Sequence, residues 1–169
     1  MAKTKICVVG CGNWGKNHIS TLNKLDALGG VVDINNQQTN KIRKLYPDID
    51  FYDSIGKAFE NNYDGYIIST PPSTHFDLAK RILTDRKPVL VEKPLSLSFK
   101  EGKELQSIIK KFNGKLIVGH LLLFHPAIIK IKSMIDDGLC GEIQYLYSNR
   151  LNLGKVRKEE NAFWSLAPH

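Results

Sequence analysis

Three glycines, one aspartate and one lysine carry the chemistry that can be read from this sequence. Gly10, Gly12 and Gly15 form G-x-G-x-x-G directly after Ile6, Cys7, Val8 and Val9, an apolar run of the length and β-branched bias of a buried parallel strand. In that position each glycine has a task. Gly10 makes the tight turn, Gly12 lets the backbone approach a pyrophosphate, and Gly15 lets the following helix pack against the strand. Backbone N–H groups at the helix start then face the phosphate charge. Asp33 closes the next apolar run, Gly30 to Val32, and lies 18 residues beyond Gly15. That is close to the separation at which a carboxylate accepts hydrogen bonds from a dinucleotide ribose. Ile34, Asn35, Asn36 and Gln37 offer no cation for a 2′-phosphate, and Lys41 and Arg43 lie further on, so NAD is expected in preference to NADP.

Lys93 stands between Glu92 and Pro94, where another apolar run ends. Fixed by Pro94, whose peptide bond can be cis, its ammonium would point into a cleft beside a nicotinamide ring. Partial burial there favours the neutral amine, which can exchange a proton with a substrate hydroxyl. The same residues also read as surface charges at the start of a loop, and residue types alone leave both readings open.

The elements that must position these groups follow from periodicity. Strands are expected at 6–9, 30–33, 51–52, 66–68, 88–91 and 116–118, alternating with helices over 16–25, 38–45, 55–59, 75–85 and 98–112. Asp53 or Ser54 can cap the third helix, and Ser98 with Glu101 forms a capping box for the fifth. Six strands alternating with helices mean an α/β fold with a doubly wound parallel sheet, a Rossmann-type dinucleotide-binding domain over residues 1–120. Ligands of such a sheet lie across the carboxyl ends of the strands, so Gly10 to Gly15, Asp33, Thr70 to Pro72, Glu92 to Pro94 and His120 are the first candidates. Asn13 and Trp14, inside the glycine run, join the expected cofactor-binding set. Past Gly119 the pattern changes. A helix starts at Pro126, and 143–149 alternates like a strand with Tyr145 and Tyr147 on one face, while 150–169 shows no periodicity. Residues 121–169 therefore read as a linker helix and the first strand of an incomplete α+β domain. A lone exposed strand predicts self-association, hence a homo-oligomer.

With 169 residues, 42% hydrophobic and 24% charged, the chain can form one domain plus part of another, with a core burying about 70% of the unfolded surface. It contains no apolar run long enough for a membrane span, and residues 1–5 lead into the first strand without a signal segment. Cys7, Cys11 and Cys140 have no metal-ligand or C-x-x-C spacing and read as reduced thiols, with Cys11 merely filling the place between two glycines, so a cytoplasmic protein without metal is expected. The net charge of +7 raises nucleic acid as a partner. Lysine and arginine are scattered, however, and no basic tract is interleaved with aromatics, so the surface is read as solvated and attractive to anionic metabolites. His18 on the first helix reads as a surface or capping residue, and His125 as a helix-entry residue.

The set VVGCGNWG, VVD, STPPSTH, VEKP and GHLLLFHPA, in this order and spacing, resembles the glucose-fructose oxidoreductase, inositol dehydrogenase and rhizopine catabolism (Gfo/Idh/MocA) family. The resemblance implies an NAD(P)-dependent oxidoreductase acting on sugars or cyclitols, with Lys93 as its proton-handling lysine and Glu92 near the nicotinamide ribose. It also places Thr70, Pro71 and His75 along the dinucleotide and His120 toward the nicotinamide end. SNRLNLGKVRKEENAFWSLAPH, residues 148–169, is similar to the UDP-sugar 3-dehydrogenases of that family. That likeness makes His169 the catalytic partner of Lys93 and Arg157 and Asn161 substrate contacts, with Lys93 and His169 also touching substrate. Where many members carry an aspartate four residues before this histidine, Ser165 stands here.

Two functions are therefore expected to compete. One is oxidation of a secondary hydroxyl, at C3 of a UDP-linked N-acetylhexosaminuronate, with Lys93 and His169 as the acid/base pair. The other is a dinucleotide-binding module that holds NAD without turnover.

Overall fold

A computed structural model of the chain describes residues 3–149. Six short apolar runs form strands, β1 (Ile6–Val9), β2 (Leu28–Val32), β3 (Asp50–Tyr52), β4 (Gly65–Ile68), β5 (Val89–Val91) and β6 (Leu116–Val118). All pair in parallel, in the order β3-β2-β1-β4-β5-β6. The chain winds outward from β1 to β3, returns to the other side of β1, and winds outward again, as the alternation of elements predicts. The strand order therefore reverses between β1 and β4, and a crevice opens at their carboxyl ends.

Between the strands run α1 (Asn13–Lys24), α2 (Asn36–Leu45), α3 (Ile55–Phe59), α4 (His75–Thr84) and α5 (Phe99–Phe112). Successive residues of β1 point to opposite faces of the sheet. Val8 packs with Ile19 and Leu22 of α1 and Ile42 of α2. Cys7 and Val9 pack with Ala79, Ile82 and Leu83 of α4 and Leu105 of α5. Each such buried aliphatic side chain contributes about 1.5–3 kcal/mol, which is why strands of three to five residues hold so firmly.

The helix starts follow local chemistry. α1 begins at Asn13 with Gly12 as its N-cap, three residues before the predicted start at Lys16, so the glycine run forms the first turn itself. Asn35 caps α2 by accepting from the N–H groups of Gln37 and Gln38. Ser98 accepts from the Glu101 N–H at 3.2 Å, and the Glu101 carboxylate reaches back to the Leu97 N–H, one residue before the N-cap, a shifted form of the capping box. For α3 the cap expectation fails. Ser54 makes no side-chain cap bond, and Asp53 pairs with Lys57.

The chain forms two compact units, the first closing at Gly119 and the second opening at His120. In the second, a single 3₁₀ turn at Leu121–Phe124 precedes α6 (Pro126–Asp136), with Pro126 in its first turn and His125 as N-cap, accepting from the Ala127 N–H. The expected strand at 143–149 is not formed: residues 143–149 carry no regular structure. Alternation makes a strand only when a neighbour supplies the ladder, and no described strand pairs with this segment. The self-association argued from that strand loses its basis with it. Among the described residues no helix is long and apolar enough to cross a membrane, and no group of His, Cys, Asp and Glu is arranged to hold a metal ion.

Candidate functional site

One more ladder bond beyond each central strand places the candidate residues along one edge. Gly10 N–H donates to Val32, Asp33 to Tyr52, Ser69 to Val9, Glu92 to Ile68 and Gly119 to Val91, all at 2.8–3.0 Å. The residues that follow the strands are thus held in line at the carboxyl edge, where the chain turns away from the sheet.

At the crevice itself the glycine loop is braced from behind. Gly10 has φ +92°, and a β-carbon there would stand 2.9 Å from the Ser69 and Thr70 backbone. A β-carbon on Gly15 would land on the Gly10 carbonyl, so both positions admit only glycine. Ser69 Oγ donates to the Gly10 carbonyl at 2.8 Å, tying the β4 loop to the glycine turn. Gly12 differs, because a β-carbon there would meet nothing within 4 Å. The N-terminus of α1 therefore opens onto free space, with no capping side chain and no acidic residue in its first turn. Unsatisfied N–H donors at a helix start with the positive end of its dipole are a fit for a diphosphate. Asn13 and Trp14 are exposed at this mouth.

Asp33 is oriented by two backbone donors, Cys11 N–H to Oδ2 at 2.7 Å and Asn35 N–H to Oδ1 at 2.8 Å. Each oxygen keeps a further lone pair, enough for a pair of ribose hydroxyls. Cys11 is more than the filler expected from sequence. It is fully buried, and its thiol is pushed up to about 12 by burial first and then by the Asp33 carboxylate beside it. The thiol therefore stays neutral and adds no charge next to the carboxylate. These groups fit NAD: donors for the diphosphate, a carboxylate for the ribose, and open space between them.

On the other side of the crevice, Thr70 and Pro71 open the turn that leads into α4, and Thr70 Oγ1 shares a hydrogen bond with Thr74 Oγ1 at 2.7 Å. His75 does not line the dinucleotide as the resemblance implied. Its ring is 1% exposed, and each nitrogen faces a backbone carbonyl at 2.8 Å, Nδ1 that of Pro94 and Nε2 that of Thr70. It offers no polar atom to a ligand and stands behind the cleft.

Glu92 and Lys93 leave β5 together, Glu92 buried and Lys93 half-buried, and the Lys93–Pro94 peptide is cis. The Glu92 carboxylate accepts from His18 Nε2 at 2.8 Å, with both side chains largely covered. That contact joins the segment 92–94 to α1, the helix that follows the glycine loop. His18 was read as a surface or capping residue and belongs to the site instead. The signal was available, since residue 18 lies one turn after Gly15 and beside Ile19, on the face that α1 buries. His120 opens the second unit. His169, Arg157, Asn161 and Ser165 lie outside the described residues.

Comparison with known proteins places the site in context. A family profile described as "Oxidoreductase family, NAD-binding Rossmann fold" (GFO_IDH_MocA) matches residues 4–120. The chain is 29% identical over 155 residues to UDP-N-acetylglucosamine 3-dehydrogenase of Acidithiobacillus ferrooxidans, covering 89% of this chain and 46% of that protein. It is also 29% identical over 140 residues to inositol 2-dehydrogenase of Rhizobium meliloti, covering 81% of this chain and 42% of that protein. Among solved structures, the WlbA dehydrogenase from Bordetella pertussis in complex with NADH and UDP-GlcNAcA superposes with a TM-score of 0.77 at 22% identity. It covers 83% of this chain and 44% of that one, a likeness of fold. The chain spans between 34 and 47% of the length of the first curated relatives it matches.

Proposed function

The chain belongs to the Gfo/Idh/MocA oxidoreductase family and carries its NAD-binding Rossmann fold, and from that premise we propose that it serves a dehydrogenase acting on a secondary hydroxyl of a sugar ring. The substrate we infer is a nucleotide-linked sugar of the UDP-N-acetylglucosaminuronate kind, oxidised at C3, a reading supported by the likeness of residues 148–169 to the UDP-sugar 3-dehydrogenases. NAD, when bound, accepts a hydride from the carbinol carbon. The protein's own contribution is orientation and proton transfer. The α1 N-terminus and Asp33 hold the dinucleotide by its diphosphate and ribose. Lys93 takes the hydroxyl proton as the carbon is oxidised, with His169 as its partner and Arg157 and Asn161 holding the substrate. The single observation that carries the proposal is the His18–Glu92 contact at 2.8 Å, which joins the lysine-bearing turn to the helix that the glycine loop begins.

Lys93→Met tests it. NADH formation from a UDP-sugar should fall by about 10²–10⁴-fold, the usual worth of a positioned acid/base group, while calorimetric NAD affinity stays within about threefold, the scale of a contact removed from the reacting atoms only. Turnover at the parent rate in Lys93→Met would remove the lysine from the mechanism. Inositols assayed beside UDP-sugars decide the substrate class, because relatives of both kinds match at the same identity. A second reading, an NAD-binding module without turnover of its own, is supported by the family profile, which matches the NAD-binding fold at residues 4–120. Heat on NAD titration with no NADH formed from any sugar would favour it.

A further inference from the structure

Two histidines from different helices, His18 half-buried and His75 buried, close on the residues either side of Lys93. His18, on α1, meets the Glu92 carboxylate, and His75, at the start of α4, meets the Pro94 carbonyl. We propose that His18 and His75 are positioning residues that fix the residues on both sides of Lys93 and tie them to α1 and to the turn after β4, which border the dinucleotide crevice. The inference rests on Lys93 being the proton-handling residue.

Each contact is of a kind that specifies geometry. Glu92 is 5% exposed, and a carboxylate at that depth is costly unless a donor meets it. Its oxygens also lie against Gly119, where a β-carbon would come within 3.1 Å of Oε2. With His18 on one side and a bare α-carbon on the other, the carboxylate is confined to a narrow range of positions. His75 does the equivalent work on backbone. A carbonyl only accepts, so a ring nitrogen that carries hydrogen donates to the carbonyl it faces, and the ring is wedged between the two. One rigid ring then spans the Thr70 and Pro94 carbonyls, locking the turn after β4 to the turn after β5. Both ring nitrogens of His75 are taken up by carbonyls, and the partners of the two histidines flank the lysine. A displacement of about 1 Å at a reacting group costs about 10²-fold in rate, so such ties matter out of proportion to their number.

The test is spectroscopic. In ¹³C-lysine-labelled chain, the Lys93 ε-methylene resonance is identified by its loss in Lys93→Arg. His18→Leu and His75→Leu are expected to shift and broaden that resonance while the other lysine signals keep their positions. His18→Gln, whose amide still donates to the Glu92 carboxylate, is expected to bring it back. Where His75→Leu does not fold, His75→Gln, which keeps a donor for one of the two carbonyls, takes its place with the same expectation of a shift. An unmoved Lys93 resonance in the His18 and His75 variants overturns the proposal. So does a shift spread evenly over all lysines, which would mark a merely structural role. Retained turnover in Lys93→Met would sink the acid/base reading and leave these resonances as they are, so the two failures are told apart.

Discussion

Tyr66 carries the one hydroxyl whose surroundings make a stability prediction plain. Its ring packs edge-on against Phe59 and Tyr63 inside the sheet, yet its buried oxygen meets no hydrogen-bond partner, whereas Tyr52 and Tyr63 pair their hydroxyls at 2.9 Å. An unmet buried hydroxyl costs about 1–3 kcal/mol, so Tyr66→Phe should stabilise the fold by about 1 kcal/mol, read as a rise in the denaturation midpoint. A lower midpoint would mean the oxygen is satisfied. The cysteines give a second test at this scale. Cys7 and Cys11 are buried, their thiols pushed up to about 12 from 9.0, for both chiefly by burial, while Cys140 is exposed. One thiol should react with a disulfide reagent in the native protein and all three after denaturation. Because the folded pKa lies above the unfolded one, these thiols contribute stability that is complete below pH 9 and is lost as pH rises toward 12. The loss is up to about 1.4 kcal/mol per pH unit for each thiol. A stability flat from pH 8 to 11 would contradict this. At the same scale, the glycines, Asp33 and Lys93 were singled out because each is demanded by type. His18 was missed although its place on the buried side of α1 was legible, because its partner is a carboxylate 74 residues later.

Among the elements, α5 and α3 show how far local chemistry reaches. Ser98 and Glu101 announce the start of α5 three residues apart, and both side chains bond as a cap should. Removing the hydroxyl in Ser98→Ala should cost about 1 kcal/mol in urea denaturation, without changing NAD affinity, because the cap lies outside the glycine loop and Asp33. A loss below about 0.3 kcal/mol would show the cap to be redundant with the packing of Leu105, since cap losses run from about 0.5 kcal/mol upward. The signal before α3 is equally good on paper, yet Asp53 is drawn to Lys57 and Ser54 caps nothing. Two acceptors competed for one role there, and a lysine one turn into the helix took one of them. The strand expected at 143–149 failed for a different reason. Alternation marks a strand covered on one face, but the ladder must come from a partner that lies elsewhere in the chain, and Tyr145, Leu146 and Tyr147 stay exposed. The six central strands were legible because apolar runs separated by amphipathic helices leave few other arrangements.

At the scale of the molecule, ligand binding and folding are one equilibrium, since the crevice exists only when β1, β2 and β4 are paired. NAD should therefore raise the denaturation midpoint, by an amount equivalent to about 2.7 kcal/mol at a hundred times its Kd. A midpoint that ignores millimolar NAD would contradict the diphosphate and ribose assignments made for Gly12 and Asp33. By itself, the sequence determined the α/β class, the doubly wound parallel sheet, the glycine turn and its aspartate, since each depends on residues close in the chain or on periodicity. Only the tertiary structure decided that His18 lies against Glu92, that His75 bridges Thr70 and Pro94 from behind the cleft, and that Cys11 shares its environment with Asp33. These contacts join residues brought together when the sheet closes, and a donor finds its acceptor there through geometry that no local pattern encodes.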